Sequence, residues 1–576
     1  MLKLKNSIFQ SDKKGILFLR WVNYNKKKIL SMRFAVIFFL SLILSASSLE
    51  AKEELQDKGC YGGRLTWGVA YKPTIINPIL TTGSVSASLQ GLIFNELIRL
   101  NAKGEIEPDL ALYWSISSDG LIYTFHLRKG IKFHDGVECT AEDVKFTFDK
   151  IIDPQVNSPL RHLFNLVSEF KVIDKYMFRV ILTKPSSSFI YRLIKPIAPK
   201  HLLENTDLRS ASFNFKPVGT GPFKFKEWGK DGQITLEYNP DYYEGRPYLD
   251  EIIVRQYPGS LKLWQALMRQ EIDLVLFIDK QDYKIIEKDP AFKSYAVAVD
   301  YYYAVSYNLN DQIFADLKIR EAVASALNRK LLMEKVSLGY GLECNGPFYP
   351  DSIGFNPQVK PIEFNPEKAR RLLVESGWQD LNKDGILEKD GKDFEIRMLV
   401  DMRIEEHHRI AMVLRQQLQE FGIKLTVLLY NDDSELTSEY LAQNKPQAQL
   451  KLLPAGIDPD QTDAVWFSQS PEKIYSLWEY LNPQVDELFI SGKTAKSKAE
   501  RKQIYQEIYK VIYANQPVCF LYFPCYFHAV SSRVKNADEL FTLSMPYEIM
   551  RKWFIVENQG EKGGEGEWRL LKKGQM

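Results

Sequence analysis

Two histidine-containing dipeptides are the first candidates for acid–base chemistry. His134-Asp135 lies between a predicted hairpin and a capped helix, where such a pair is more typical of a loop than of a catalytic site. His407-His408 opens an amphipathic helix, and adjacent helical residues point in different directions, so the pair does not converge on one metal ion. We therefore expect His407 and His408 on a solvated helix face, and we assign no catalytic residue.

One segment begins like a calcium-binding loop. Asp380, Asn382 and Asp384 place oxygen ligands at positions 1, 3 and 5, and Gly385 occupies position 6. Position 12 is Gly391, where such a loop needs a bidentate glutamate. The alternatives are an atypical cation site and a tight turn leading into a hairpin, and the sequence favours the turn. We predict no metal site and no cofactor.

Other catalytic and metal-binding motifs are missing from the sequence. It contains no phosphate-binding P-loop, no Gly-x-Ser-x-Gly elbow and no His-Glu-x-x-His. The five cysteines are an odd number and match no zinc-binding spacing. Cys60 lacks the preceding apolar residue of a lipid-anchor signal, and a disulfide between Cys519 and Cys525 stays open.

The elements that must position any site alternate between helix and strand. The sequence predicts strands over 64–70, 123–127 and 423–427. It predicts helices over 84–98, 140–152, 319–331, 365–377, 410–422 and 504–512. Helices alternating with short strands over 576 residues indicate an α/β protein of two to four domains.

Charge is unevenly distributed along the chain. The whole chain carries a net charge of +2, but residues 1–51 contain nine basic and two acidic residues. The remainder, with 66 basic and 71 acidic residues, is mildly acidic. No basic block outside the N-terminus indicates a nucleic-acid surface, so we expect no nucleic-acid partner.

The N-terminal region 1–51 has the features of an export signal. Lysines at 26–28 and Arg33 precede the apolar run Phe34–Leu44, and small residues follow it. A spanning helix needs about 20 apolar residues, so cleavage is favoured over a membrane anchor. We expect an exported, periplasmic protein, which an uncleaved signal would retain on the membrane.

Five segments together resemble the extracellular solute-binding proteins of family 5, which bind oligopeptides and dipeptides for ABC importers. The segments occur in the family's order and are Asp119–Gly136 with Thr140–Val144, Pro217–Phe223 with Asn239–Tyr243, Ile319–Asn328, Asn365–Gly385 and Gly456–Asp460 with Trp466. The export signal agrees with this resemblance independently.

The resemblance implies a two-lobed α/β clamp, the periplasmic-binding-protein fold of type II, class C. Lobe I is expected at 61–305 and again at 528–576, where the chain returns and ends in a loose tail. A subdomain at about 100–215 is expected inside lobe I, and lobe II at 306–527. Hinge strands are expected near Tyr301–Asn308 and Cys519–Phe527.

The resemblance also implies where the ligand binds. Tyr71, Lys72 and Thr74 follow the first strand, and Tyr301, Tyr302, Tyr303 and Trp466 are expected as walls. From lobe II the expected contacts are Ala455, Gly456 and Asp458. Peptide-binding members place a carboxylate three residues before an acidic residue–proline pair, and this chain has Ala455 there. Either Asp458 or Asp460 then replaces that carboxylate, or Asp458 is only a turn or capping residue. Ordinary core packing is the alternative for the aromatic residues.

Three functions remain in competition. The leading one is a binding protein, expected to be monomeric, that delivers small peptides to an ABC permease complex in the inner membrane. The second keeps the fold but binds a nickel complex, haem, an oligosaccharide or an opine-like compound. The third is a different class, either a secreted hydrolase, for which no catalytic set emerges, or a ligand-sensing receptor.

Overall fold

The structure is a computed structural model and describes residues 60–81, 83–468, 480–495 and 497–556. The predicted export signal and the predicted loose tail after residue 556 lie outside these ranges. In the part of the chain that is described, no helix is both long and apolar enough to cross a membrane. The five cysteines are unpaired, Cys519 and Cys525 included.

The strands are short and run through the whole described chain. In chain order they are β1 (Arg64–Val69), β2 (Ile98–Leu100), β3 (Ile106–Pro108), β4 (Ala111–Ile116), β5 (Ile122–Leu127), β6 (Val167–Asp174), β7 (Met177–Leu182), β8 (Phe223–Trp228), β9 (Ile234–Tyr238), β10 (Glu251–Gln256), β11 (Leu274–Leu276), β12 (Phe292–Ala298), β13 (Tyr301–Tyr307), β14 (Leu342–Glu343), β15 (Glu388–Lys389), β16 (Lys392–Asp393), β17 (Glu395–Asp401), β18 (Lys424–Tyr430), β19 (Ala448–Pro454), β20 (Val518–Phe523), β21 (Cys525–Ser531), β22 (Val534–Lys535) and β23 (Phe554–Ile555).

Helices alternate with these strands. In chain order they are α1 (Ser84–Ile93), α2 (Ala141–Ile152), α3 (Phe189–Arg192), α4 (Lys200–Leu203), α5 (Ser260–Met268), α6 (Lys280–Ile286), α7 (Leu317–Ala326), α8 (Arg329–Ser337), α9 (Pro366–Glu375), α10 (Glu405–Gln419), α11 (Ser438–Asn444), α12 (Asp463–Trp466), α13 (Pro483–Lys493) and α14 (Lys498–Asn515). Short 3₁₀ turns lie at Arg161–Phe164, Ser212–Asn214, Asp433–Glu435, Pro459–Thr462, Asp538–Leu540 and Tyr547–Lys552.

Two large sheets define two lobes. The first has seven strands in the order β12-β21-β11-β1-β10-β9-β8, and β1 runs parallel to both β10 and β11. The second has six strands in the order β14-β20-β13-β19-β17-β18. We call the part built on the first sheet, residues 61–300 and 524–556, lobe I, and residues 301–523 lobe II. The sequence-based boundaries at 305 and 527 stay predictions.

The chain passes between the two sheets twice, at neighbouring places. After β12 it crosses at Val299-Asp300 into β13, and after β20 it returns through Pro524 into β21. The Val299 amide donates to the Pro524 carbonyl at 3.0 Å, so the two crossings are hydrogen-bonded to each other. Both crossings thus join the lobes at one place.

Lobe II is a sheet covered by helices on both faces. Because side chains alternate along a strand, Tyr303 and Val305 of β13 pack into one core, with α7 to α10. Tyr302 and Ala304 face the opposite core, which contains α13 and α14. This alternation explains how consecutive tyrosines come to lie in different environments.

Lobe I carries an additional antiparallel sheet of four strands in the order β4-β5-β7-β6. Its strand β5 has the predicted period of two, with Tyr123 and Phe125 buried in the lobe I core. Helix α2 covers this sheet and is capped by Thr140, whose amide donates to Asp143 Oδ2 at 2.8 Å. The predicted capping box with aspartate in the glutamate position is therefore confirmed.

Most predicted elements are confirmed, but two predicted helices are too long. The helix over 84–98 ends at Ile93, and Ile98 lies in β2 instead. The helix over 319–331 is two helices, because Asn328 caps α8 by accepting a hydrogen bond from the Leu331 amide. The apolar spacing continues across both breaks, which is why it suggested single helices.

The histidine and acidic motifs have structural roles. His134 accepts from the Gly219 amide through Nδ1 and faces the Gly221 carbonyl at 3.0 Å through Nε2, so it ties two loops together. His407 is buried against the Tyr303 ring, and the expectation of a solvated face is wrong for it. Burial lowers the His407 pKa to about 4.

The segment Asp380–Gly385 forms the favoured tight turn, leading into the β15–β16 hairpin.

Gly219 and Gly221 lie directly against the backbone at the end of α1. The Gly221 amide donates to the Ile93 carbonyl at 2.8 Å, and a Cβ at Gly221 would lie 2.5 Å from the Ile93 carbonyl carbon. A Cβ at Gly219 would overlap the Ile93 carbonyl oxygen. Side-chain-free positions are therefore required where the loop packs on the helix.

We predict that Gly219→Ala lowers the free energy of unfolding by about 3 kcal/mol, because backbone atoms must move to admit the methyl group. Gly83→Ala is the control at an open position, since the nearest atom to its Cβ lies 3.9 Å away, and because Gly83 caps α1 this variant should lose no more than about 1 kcal/mol. Urea unfolding of both variants checks this. Equal unfolding midpoints for the two variants would contradict the close packing.

Candidate ligand-binding site

A cavity of about 540 Å³ opens in lobe I at the ends of two parallel strands. Strands β1 and β11 are neighbours, so their carboxyl ends lie at the same edge of the sheet. We call this cavity the lobe I pocket. It is lined by Trp67, Gly68, Val69, Ala70, Tyr71, Ser84, Val85, Ser88, Ser260, Leu263, Trp264, Leu267, Val275, Leu276, Phe277, Ile278, Asp279, Asp282 and Tyr526.

Aromatic side chains supply much of the wall. Phe277 follows β11 with φ +63°, a left-handed conformation that is unusual for an aromatic residue. Its ring is 46% exposed and stands edge-on to Tyr526 and to His528, with centroids 5.0 and 5.3 Å away. Strained residues of this kind cost about 1–3 kcal/mol and cluster at functional sites. The conformation of Phe277 therefore supports a functional role for the pocket.

The polar groups of the pocket are few. Asp279 precedes α6 and Asp282 lies in its first turn. Burial, and secondarily repulsion from Asp279, raises the pKa of Asp282. Trp67 is buried, and its indole N–H has no acceptor among the described residues. The pocket thus combines apolar walls with two carboxylates and the hydroxyl groups of its serines and tyrosines.

The pocket lies beside a contact between the lobes. Lys280, the first residue of α6, donates to Glu406 Oε1 of α10 in lobe II at 3.1 Å. Tyr526 is only two residues beyond the crossing at Pro524. A ligand in the pocket would therefore lie next to the surface that lobe II approaches.

The predicted lobe I contacts fall into two places. Tyr71 lines the lobe I pocket and is 77% exposed. Lys72 and Thr74 line a different cavity of about 880 Å³, with Phe215 and Trp228. The structure therefore brings Tyr71, but not Lys72 or Thr74, to the lobe I pocket.

The predicted tyrosine wall is divided by strand geometry. Tyr301 is half-exposed at the start of β13. Tyr302 is buried against Phe520 and Phe523, and Tyr303 is buried in the opposite core. Only Tyr301 is accessible from solvent without rearrangement.

The predicted lobe II residues are mostly buried. Ala455 is fully buried, and its amide donates to the Asp300 carbonyl at 2.7 Å, beside the crossing. Gly456 has φ +58°, and a Cβ there would meet the Asp458 carbonyl oxygen at 2.7 Å. Trp466 is buried with its ring near Phe520. These residues shape the end of β19 in this structure.

The Asp458 carboxylate, expected to pair with a ligand ammonium group, pairs with an arginine of the protein instead. It is 2% exposed, and both carboxylate oxygens accept from the Arg501 guanidinium at 2.7 Å. Arg501 also lies 3.1 Å from Asp460, which accepts from the Tyr505 hydroxyl. A buried carboxylate needs such a partner, and Arg501, distant in sequence, supplies it. Ligand binding by Asp458 would require Arg501 to move.

Ser187, which follows the last strand of the four-stranded sheet in lobe I, touches lobe II next to this cluster. The Ser187 amide donates to the Lys493 carbonyl at 3.2 Å, and its hydroxyl lies 3.4 Å from Asp460 Oδ2. Burial, and secondarily the charge of Asp458, raises the pKa of Asp460 to about 6. These contacts join the lobes at a place separate from the crossings and from the contact between Lys280 and Glu406.

A smaller cavity of about 330 Å³, with charged residues in its wall, lies in lobe I on another face of α1. Glu96, Lys195 and Glu548 line it, and burial raises the pKa of Glu96 to about 8 and that of Glu548 to about 7. Gln90 and Asn95 also line it, and each has a side-chain atom without a partner among the described residues. Nothing in the sequence pattern singled out this group.

Sequence reasoning also missed most of the lobe I pocket. Phe277, Asp279 and Asp282 follow the short buried strand β11, and Trp264 lies on α5. The available signal was the rule that ligands bind beyond the carboxyl ends of parallel strands. Applying the rule required β1 and β11 to be known as neighbours, although about 200 residues separate them.

No metal centre is formed within the described ranges, where no three His, Cys, Asp or Glu side chains are grouped to hold an ion.

Comparison with known proteins gives consistent results. The family model for bacterial extracellular solute-binding proteins, family 5 Middle, matches residues 105–473. The oligopeptide-binding protein AppA of Bacillus subtilis is 31% identical over 520 residues, covering 87% of this chain and 94% of that protein.

Two solved structures have the same two-lobed fold. AppA from Bacillus subtilis in complex with a nonapeptide aligns with TM-score 0.64 at 29% identity, over 87% of this chain and all of that one. NikZ from Campylobacter jejuni in complex with Ni(L-His) aligns with TM-score 0.65 at 27% identity, over 85% of this chain and 99% of that one.

We predict that Arg501→Met lowers the free energy of unfolding by about 3–5 kcal/mol, because it leaves two buried carboxylates without their cation. The exposed Arg371 is the matched control, since its contact with Glu375 spans 3.7 Å at the surface and Arg371→Met should change stability by less than about 1 kcal/mol. Urea unfolding measures both. Similar midpoints would show that the buried ion pair is not formed.

We also predict that Glu96 contributes stability that is lost as pH rises from about 4.5 to about 8. The raised pKa of Glu96 means that this group binds more protons in the folded state than in the unfolded state in this window. Buried His407 acts in the opposite direction below about pH 6.5, so the test is the difference between the parent protein and Glu96→Gln, whose amide does not titrate. Relative to the variant, the parent protein should lose stability between pH 5 and pH 8. Urea midpoints at pH 5 and pH 8 for both proteins check this, and an equal slope in the variant would contradict the assignment.

Proposed function

This chain belongs to the bacterial extracellular solute-binding proteins of family 5, and we propose that it binds small peptides and delivers them to an ABC permease. The observation that carries the proposal is the 31% identity to an oligopeptide-binding protein, extending over 94% of that relative. The lobe I pocket supports it, because the pocket adjoins the surface where lobe II meets lobe I. We further propose that the protein is not an enzyme.

We propose that the ligand lies between the lobe I pocket and the facing surface of lobe II. Tyr71 and the half-exposed Tyr301 are the predicted residues best placed to touch it, and Lys72 and Thr74 would contact a longer ligand. Tyr303, Ala455, Gly456, Asp458 and Trp466 act in this proposal by holding the lobe II surface in shape. Rotation at the two crossings would close the lobes over the ligand.

We propose a periplasmic location and a monomeric protein, with the permease complex in the inner membrane as partner. Membership of a family of extracellular proteins supports export of this chain, and the basic and apolar N-terminal sequence supports a signal peptide. Capture by one protein and release to another requires moderate affinity, since a ligand that never dissociates is not delivered.

We predict that protein purified from its own envelope carries a mixture of short peptides. Native mass spectrometry of the intact protein, followed by denaturation, should release a ladder of peptide masses. Protein refolded after denaturation and dialysis is the ligand-free control, and adding peptides to it should raise its melting temperature by mass action.

Other outcomes separate the alternatives. A single non-peptide mass, or a nickel complex such as the one bound to NikZ, would overturn the peptide proposal and keep the binding-protein one. Ligand-free protein that responds to no peptide or metal complex would favour a sensing receptor or a hydrolase.

A further inference from the structure

Ser187 of lobe I covers the end of a lobe II helix. The last carbonyl groups of a helix have no partners within the helix. At the end of α13, the Lys493 carbonyl accepts from the Ser187 amide at 3.2 Å, and the Gly492 carbonyl lies 3.4 Å from the Ser187 hydroxyl. Ser187 is therefore a helix cap supplied by the other lobe, and this cap is present only while the lobes are together.

The Ser187 hydroxyl also lies between two acceptors. Its oxygen is 3.4 Å from the Gly492 carbonyl and 3.4 Å from Asp460 Oδ2. A serine hydroxyl donates one hydrogen bond and accepts others through its oxygen. With Asp460 ionised, Ser187 can donate to only one of the two acceptors. With a proton on Oδ2, Asp460 donates to Ser187 and Ser187 donates to Gly492, so every group in the chain has a partner.

Lobe I shields this part of lobe II from water. Gly104 of lobe I lies so close to Ile457 that a Cβ at Gly104 would be 3.3 Å from Ile457 Cγ2. Ile457 is three residues before Asp460, whose side chain is 3% exposed. A rotation at the crossings that separates the lobes would withdraw Gly104 and Ser187 together and admit water to this carboxylate.

A proton on Asp460 leaves its neighbours paired. Arg501 keeps two hydrogen bonds of 2.7 Å to Asp458. The Tyr505 hydroxyl donates to Asp460 Oδ1, which accepts in either protonation state. The titratable and charged groups around Asp460 are Tyr191 of lobe I and, in lobe II, Asp458, Arg501, Tyr505 and Lys493, which is paired with Asp463 at 2.6 Å.

The direction of the pH effect follows from burial. Burial, and secondarily the charge of Asp458, raises the pKa of Asp460 to about 6, and a contact with the Ser188 hydroxyl opposes this more weakly. In separated lobes the carboxylate meets water, and its pKa falls toward the ordinary value of about 3.9. The closed form therefore binds the proton more tightly than the open form. The contribution of this proton to closure is present at low pH and is lost as pH rises through about 6.

We propose that a proton on Asp460 latches the closed lobes through Ser187, so that mild acid strengthens ligand binding. The latch is the hydrogen-bond chain from Asp460 through Ser187 to the Gly492 carbonyl at the end of α13. This inference rests on the proposed function, because a ligand held between the lobes is retained by their closure. Proton binding and ligand binding then favour each other through the same closed form.

Binding of Ala-Ala-Ala to ligand-free protein at pH 5 and pH 7 tests the latch. The peptide stays a zwitterion in this range, because its carboxyl and amino groups titrate near about 3.5 and about 8. Isothermal titration calorimetry should show about 5-fold tighter binding at pH 5 than at pH 7. In Ser187→Ala, which cannot bridge the two acceptors, this ratio should fall below about 2. Ser168→Ala changes an exposed serine on β6 of the same lobe and is the matched control, which should keep the parent ratio.

Asp460→Asn removes the titrating group itself. The asparagine amide can donate to Ser187 as the protonated acid does, so this variant should bind Ala-Ala-Ala equally well at pH 5 and pH 7. A urea midpoint verifies its fold, and Ser187→Ala, which leaves the buried cluster intact, supplies the test if the midpoint falls.

The comparison between parent and variant removes the effect of other groups that titrate in this range. Burial also raises the pKa of Asp282 in the lobe I pocket and that of Asp300 at the crossing. Their contribution is the same in the parent protein and in Ser187→Ala. An equal pH ratio in these two proteins would overturn the latch.

Hydrogen exchange without ligand separates failure of this inference from failure of the proposed function. After correction for the intrinsic exchange rates, residues 183–193 should exchange more slowly at pH 5 than at pH 7 in the parent protein, and Ser187→Ala should lose this difference. If peptide binds and Ser187→Ala changes neither readout, the latch is wrong and peptide binding stands. If neither Ala-Ala-Ala nor peptides released from the purified protein bind, the peptide proposal fails and exchange alone decides the latch. Identical exchange in both proteins would then overturn the latch as well.

Discussion

Two stretches of chain pass between the sheets side by side, and their connection governs how the lobes can move. The crossings at Val299-Asp300 and at Pro524 are tied by one hydrogen bond of 3.0 Å, and Ala455 is bonded to Asp300 at the same place. Because no other covalent connection joins the lobes within the described chain, a rotation about these crossings changes the lobe separation without unfolding either core. Contacts far from the crossings, such as Ser187 with Asp460, must break or form when the lobes rotate.

The lobe I pocket depends on the same topology. Strand β21 begins at the second crossing and pairs with both β11 and β12, so Tyr526 is placed over Phe277 by the chain that links the lobes. The first turn of α6 carries Asp282, which lines the pocket, and also Lys280, which donates to Glu406 in lobe II. The pocket wall and a contact between the lobes thus share one helical turn.

Local sequence patterns predicted the elements well and the partners of buried charges poorly. The alternation in β5 and the capping box at Thr140 depend on residues within a few positions, and both were predicted. The partner of Asp458 is Arg501, 43 residues away, and no local pattern indicates that pairing. The burial of His407 was likewise set by Tyr303 on β13, about 100 residues earlier. Long-range register, rather than propensity, decides such cases.

The pairing of Asp458 gives a physical argument about the ligand. The Asp458 carboxylate is 2% exposed and accepts two charge-assisted hydrogen bonds from Arg501. Recruiting this carboxylate for a ligand would leave Arg501 buried without its partner, which costs more than an exposed charge would. Asp458 therefore stabilises lobe II, and in the proposed function a positively charged group of the ligand would need a different partner.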